Sequence, residues 1–170
     1  MIDATKLTLE WLAGFFDGEG CVCLRRQTLR GEFKGWSLRV NVTQANLELI
    51  SAIVHKFSAS YGPYRKPRST RSGKESIVYE CGWYGPNAKE FLLMLLPLVV
   101  VKRQQVEIGL EYLSTLINNR TNGSKHVPEE IATKRDSLVN RMRALNHAGP
   151  YKPASETDNS QLIDTKGLIQ

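Results

Sequence analysis

The spacing of apolar positions along this 170-residue chain changes period several times. Leu9, Leu12, Ala13 and Phe16 recur at three- and four-residue steps, which predicts a helix that Thr8 can cap. That helix is expected to end around Asp17-Gly18, with Gly20 as a stop beyond it. The period then falls to two. "CVCLRRQTL" opens β-branched and apolar and turns polar, and after a basic loop "RGEFKG" the segment "WSLRVNVTQ" alternates cleanly. Trp36, Leu38, Val40 and Val42 fall on one side, and Ser37, Arg39, Asn41 and Thr43 on the other. This is the pattern of a half-buried antiparallel strand.

Helical spacing returns with Leu47, Ile50, Ile53, Val54 and Phe57 behind a capping Asn46. "YGPYRKPRSTRSGKES" predicts a short strand and a long basic loop. "SIVYECGWY" predicts a further strand, with Ile77, Tyr79, Cys81 and Trp83 on one side and Ser76, Val78 and Glu80 on the other. Beyond Gly85-Pro86, "NAKEFLLMLLPLV" predicts a helix stopped near Pro97; Val106, Leu110, Leu113 and Ile117 mark another, and "PEEIATKRDSLVNRMRALNH" a last. The order is helix, two strands, helix, two strands, then helices, an α+β fold. One domain is expected over residues 1–148, and the polar, Pro-containing residues 149–170 are expected to form a flexible tail.

Composition is that of an ordinary globular protein, 41% hydrophobic and 24% charged. No apolar run reaches the length of a bilayer span, and the N-terminus has no secretory pattern, so an intracellular protein without a membrane is expected. Cys21, Cys23 and Cys81 are read as buried free thiols, with Cys21 and Cys23 pointing to opposite faces of a strand and unable to share a metal. Charge changes the picture more. The net charge of +6 conceals a span from Gly20 to Lys74 with eleven Lys/Arg and two acids, while the rest of the chain is net negative. Segregated positive charge of this kind is the footprint of a nucleic-acid surface.

The chemistry concentrates in "LAGFFDGEG" at 12–20, where three glycines and two carboxylates crowd a helix end. This segment resembles the motif of the LAGLIDADG homing endonucleases, agreeing at Leu12, Ala13, Gly14, Asp17 and Gly20 and keeping an acid at Glu19. The helix and strand order that follows is also that family's, an αββαββα fold with a four-stranded antiparallel saddle. A single motif in a chain of this length is similar to the homodimeric subgroup.

The resemblance implies a metal-dependent endonuclease that makes a double-strand break at a long pseudo-palindromic site. Glu19 and Gly18 would hold Mg²⁺ or Mn²⁺; Gln44 would hold water; Lys102 would steady charge at the scissile phosphate. Gly14 and Gly18, four apart, would let a second copy's helix approach closely, in a dimer interface with Leu12, Phe15 and Asp17. DNA would meet Cys23, Arg25 and Gln27 on the first strand and Ser37, Arg39 and Asn41 on the second. Arg30 and Lys34 in the hairpin and Arg65, Arg68, Arg71 and Lys74 beyond it would extend that contact. The competing reading is a non-cleaving DNA- or RNA-binding protein on the same scaffold, an intron maturase or a regulator. His55, His126 and His147 are scattered, with no HNH-like cluster. The resemblance also implies an intron-encoded protein of an organelle or a prokaryotic cytoplasm.

Overall fold

Thr8 lies in extended backbone and its hydroxyl accepts the Trp11 amide proton at 3.2 Å, which starts helix α1 (Leu9–Glu19). The computed structural model describes residues 2–69, 75–117 and 127–146. After α1 come β1 (Gly20–Leu29), β2 (Glu32–Gln44), α2 (Leu47–Lys56), β3 (Tyr61–Ser69) and β4 (Glu75–Trp83). Three helices complete the described chain: α3 (Gly85–Leu95), α4 (Arg103–Ile117) and α5 (Glu129–Asn146). The four strands form one antiparallel sheet in the order β1-β2-β4-β3, the α+β architecture predicted. Arg71, Lys74, His126, His147 and the expected tail lie outside the described residues.

Two boundaries differ from expectation. Helix α1 continues through Glu19, past the expected end at Asp17-Gly18, and Gly20 is the stop as predicted: its N–H donates to the Phe16 carbonyl. A Cβ at Gly20 would lie 2.4 Å from the Phe16 ring, so only glycine lets the chain leave the helix directly into a strand. The loop "RGEFKG" shrinks to the turn Arg30-Gly31, whose φ values of 52° and 82° both lie in the left-handed region. Such a two-residue turn matches the right-handed twist of its strands, so β2 begins at Glu32. A bulge absorbs the mismatch, with Gln27 opposite Gly35 and Thr28 opposite Phe33. The β3 strand is longer than expected as well, running from Tyr61 to Ser69.

The sheet divides cleanly by face. Val22, Leu24, Leu38, Val40, Val42, Cys81 and Trp83 point to the helices and enter one apolar cluster with Leu12, Phe16, Ile50, Ile53, Phe91, Val106 and Tyr112. Trp83 stacks on Phe91 at 3.6 Å between ring centroids and donates its indole proton to the Phe57 carbonyl. Truncating a ring buried like Phe16 to alanine would cost about 3–5 kcal/mol. No helix among the described residues is long and apolar enough to cross a membrane.

The register corrects the reading of the cysteines. Cys21 pairs with Asn41 and Cys23 with Arg39, so both thiols share the face away from the helices. Strand side chains alternate with period two, and residues two apart return to the same side. Both are half-buried; only Cys81 is fully buried, its thiol pushed up to about 12 by burial.

Candidate active site and nucleic-acid interface

The end of α1 is fixed by its apolar side. Leu12, Ala13 and Phe16 are buried, and Phe16 meets the edge of Phe91 at 5.6 Å, so the residues beyond them leave the core at a set position. Asp17 then fastens the helix to the approach of α4: its carboxylate accepts the Val100 amide at 2.8 Å and the Lys102 amide at 2.9 Å. Burial pushes the Asp17 carboxyl up, but the amides of Val100, Lys102 and Val101 outweigh it and hold it below the usual carboxylate range. In return the Lys102 ammonium donates to the Asp17 carbonyl, at the negative end of the α1 dipole. Lys102 is thereby anchored beside Gly18 and Glu19. Its own carbonyl accepts the Val106 amide and begins α4.

Glu19 is exposed and makes no hydrogen bond or ion pair among the described residues. Gln44 comes to the same end of the sheet by register: Gly20 pairs with Val42, two residues before it. The Gln44 carbonyl oxygen accepts the Ala45 amide, which leaves its NH₂ group free of that bond. The chain thus gathers Glu19, Gly18, Lys102 and Gln44 at one end of the sheet. Arg103 instead turns to Glu107 one helical turn on.

One assignment to a dimer interface is corrected. Leu12 is fully buried in its own chain and has no surface to offer a partner, because it lies on the core stripe of α1. The Asp17 carboxylate is spent on its own chain's amides. Beside the core face of α1 runs a stripe of half-buried Trp11 and Phe15 and exposed Gly14 and Gly18, with Trp11 stacked on Phe15 at 5.0 Å. A Cβ at Gly14 or Gly18 would meet nothing within 4 Å. Beside the end of this helix, Val100 is 80% exposed and Val101 71%. Sequence reasoning missed Trp11; its spacing from Gly14, Phe15 and Gly18 was the available signal.

The face away from the helices carries Cys23, Arg25 and Gln27 from β1 and Ser37, Arg39 and Asn41 from β2, as the alternation predicted. Gln27 donates to the Ser37 hydroxyl across the pair. Arg30 occupies the hairpin turn, and Lys34 pairs with Glu32 at 2.6 Å. On β3 the register puts Arg68 on the same face, opposite Ser76. Arg65 is corrected: it pairs with Tyr79 on the helix side, and Lys66 takes the free face in its place.

At the middle of this face lies a group that sequence reasoning left without a role. The Glu80 side chain, on β4, is only 6% exposed and is ringed by donors from the two neighbouring strands, β2 and β3. Arg39 and Lys66 form ion pairs with it, the latter at 2.7 Å. The Tyr61 hydroxyl donates at 2.9 Å, the Asn41 amide at 3.2 Å and the Thr43 hydroxyl at 3.5 Å. Burial raises the Glu80 carboxyl, but the bonds from Lys66, Tyr61 and Arg39 prevail and hold it below the usual range. Tyr61 is pushed up to about 12 by burial and by the adjoining carboxylate, so it stays a donor. The reading of Asn41 as a free base-reading amide is thereby corrected: it is 7% exposed, and its NH₂ faces Glu80 and Thr43.

No family model matches the chain, and no curated protein is similar to it in sequence. Solved structures are similar to it in fold. The homing endonuclease I-CvuI in complex with its target, in the presence of Ca, superimposes with a TM-score of 0.60 at 19% identity, over 82% of each chain. The archaeal intron-encoded homing endonuclease I-Vdi141I complexed with DNA gives 0.61 at 17% identity, over 86% of this chain and 88% of that one. The intron-encoded homing endonuclease I-CeuI complexed with DNA gives 0.56 at 17% identity, over 84% and 69%.

Proposed function

From the premise that this chain has the fold of the LAGLIDADG homing endonucleases, we propose that it is a site-specific double-strand DNA endonuclease acting as a homodimer with a divalent metal ion. The observation that carries this reading is the joint position of two features. Among the described residues, a basic sheet face without a helix layer lies beside a helix end that delivers Glu19 without a partner.

The oligomer follows from α1. Its Trp11–Gly14–Phe15–Gly18 stripe is a shallow, glycine-notched surface, and two copies packed across a two-fold axis would cover it, with Val100 and Val101 at the edge. That packing brings two copies of Glu19 to the axis. The donor set fits a hard cation: carboxylate and Gly18 carbonyl oxygens at the negative end of a helix dipole, with no thiol or imidazole required. Glu19 and Gly18 would hold Mg²⁺ or Mn²⁺. When bound, such an ion neutralises charge on the phosphodiester and activates water for in-line displacement.

The remaining work falls to the chain's own side chains. The Lys102 ammonium, tied through one N–H to the Asp17 carbonyl, keeps its other protons for a phosphate oxygen. The Gln44 NH₂ orients water at the end of β2. Arg25, Gln27, Ser37, Arg39, Lys66 and Arg68 face the groove, with Arg30 and Lys34 at the far end of each half-site. In this reading the protein is intron-encoded, and residues 1–148 are its endonuclease domain.

The test is selection from a randomised duplex library with Mg²⁺ or Mn²⁺. Enrichment of one two-fold-related sequence cut on both strands is expected. Enrichment of bound but uncut DNA, or of RNA in a parallel selection, would replace cleavage by the binding-only reading.

A further inference from the structure

The Glu80 cluster is unusual in where it lies. Buried ion pairs contribute little net stability, because desolvation offsets their attraction. Placing one on the sheet face that no helix among the described residues covers therefore serves whatever comes to cover that face. The cluster is also close to the catalytic end: Glu80 pairs with Thr43, one residue before Gln44.

We infer that Glu80 is a positioning residue for base reading, which holds Arg39 in one orientation so that its free edge recognises a single base pair near each cut. This rests on the proposed DNA interface. Arg39 is 23% exposed at its side chain, and one guanidinium nitrogen goes to Glu80, so only part of its fork faces outward. A guanidinium fixed in this way loses little freedom on meeting guanine, which favours a base edge over a phosphate. Lys66 shares the carboxylate, so one negative charge restrains two cations. Both are thereby less available for sequence-independent phosphate binding, and Glu80 acts against non-target DNA while it organises the target contact.

The experiment uses the site that the full chain enriches from a randomised duplex library, all single-base variants of that site, and a random-sequence duplex as non-target probe. Arg39→Ala identifies the base pairs that Arg39 reads. Glu80→Gln is expected to lower discrimination at those same pairs by about tenfold. It should also tighten binding to the random duplex and steepen its salt dependence by about one phosphate contact. The double variant should discriminate no worse than Arg39→Ala alone, since the two residues act as one unit.

An even loss across all base pairs, or an unchanged spectrum, overturns the role of Glu80 and leaves the DNA interface standing. Failure of the unaltered chain to enrich any sequence overturns the interface and the inference with it. Without DNA, the Arg39 guanidinium should rotate slowly by NMR and speed up in Glu80→Gln; free rotation in the unaltered chain overturns the inference by itself. Should Glu80→Gln fail to fold, Glu80→Asp, which keeps the charge but draws it back from Arg39 by one methylene, carries the same comparison of discrimination and guanidinium rotation.

Discussion

Glu19 and Glu80 are the same side chain put to opposite uses. Glu80 lies inside a ring of two cations and three neutral donors, every one from its own sheet. Glu19 stands at a helix end with nothing among the described residues to pair with. A carboxylate already saturated can only arrange its neighbours, whereas one left unpaired can hold an ion that arrives later. Asp17, two residues before Glu19, belongs with Glu80: its amide bonds hold Lys102 in place and leave little for a ligand.

The largest effect that sharpens this contrast is on Glu19. Glu19→Gln should lower double-strand cleavage of the selected site by about 10³-fold or more while leaving DNA affinity within about twofold. Strand-resolved gels beside equilibrium binding measure both; a parallel loss of affinity would move Glu19 into the group of structural carboxylates.

Next comes the glycine stripe. Gly18→Leu meets open space within one chain, so the monomer should still fold by circular dichroism, yet sedimentation should shift from dimer to monomer. An unchanged dimer would remove α1 from the interface. Asp17→Ala should cost about 1–3 kcal/mol by urea unfolding, because it leaves the Val100 and Lys102 amides without their acceptor. Its cleavage rate should fall too, through the released Lys102.

Acid should act on the saturated carboxylates. Folding lowers the carboxyls of Asp17 and Glu80, so their contribution is complete above the ordinary carboxylate range near pH 4. It is lost as pH falls through the lowered folded values. The stability of Asp17→Ala should accordingly depend less on pH in that window than that of the unaltered chain. The smallest effect is at Gly14: Gly14→Ala should stabilise the isolated chain by about 0.5–1 kcal/mol, through helix propensity alone, while weakening the dimer.

Much of this arrangement was legible in the sequence because it follows from period. The two-residue alternation of 36–43 assigned both faces of β2, and the core stripe of α1 located its buried side. The Thr8 and Asn46 caps were equally readable, since a cap is a local bond three residues long. What escaped depended on register between distant strands. Nothing near Glu80 in sequence says that Arg39, 41 residues away, will meet it, and no alternation pattern distinguishes Arg65 from Lys66 until β3 is paired with β4. Leu12 was misassigned because the motif was carried to the interface whole, although its spacing with Ala13 and Phe16 already placed it on the buried stripe.

The central claim is that Glu19 is left unpaired in order to hold a divalent ion. Counting bound Mn²⁺ by electron paramagnetic resonance on the DNA complexes of the unaltered chain and of Glu19→Gln tests it without relying on turnover. The account predicts tight Mn²⁺ in the first complex and its loss in the second at equal DNA occupancy. Equal Mn²⁺ in both would contradict it.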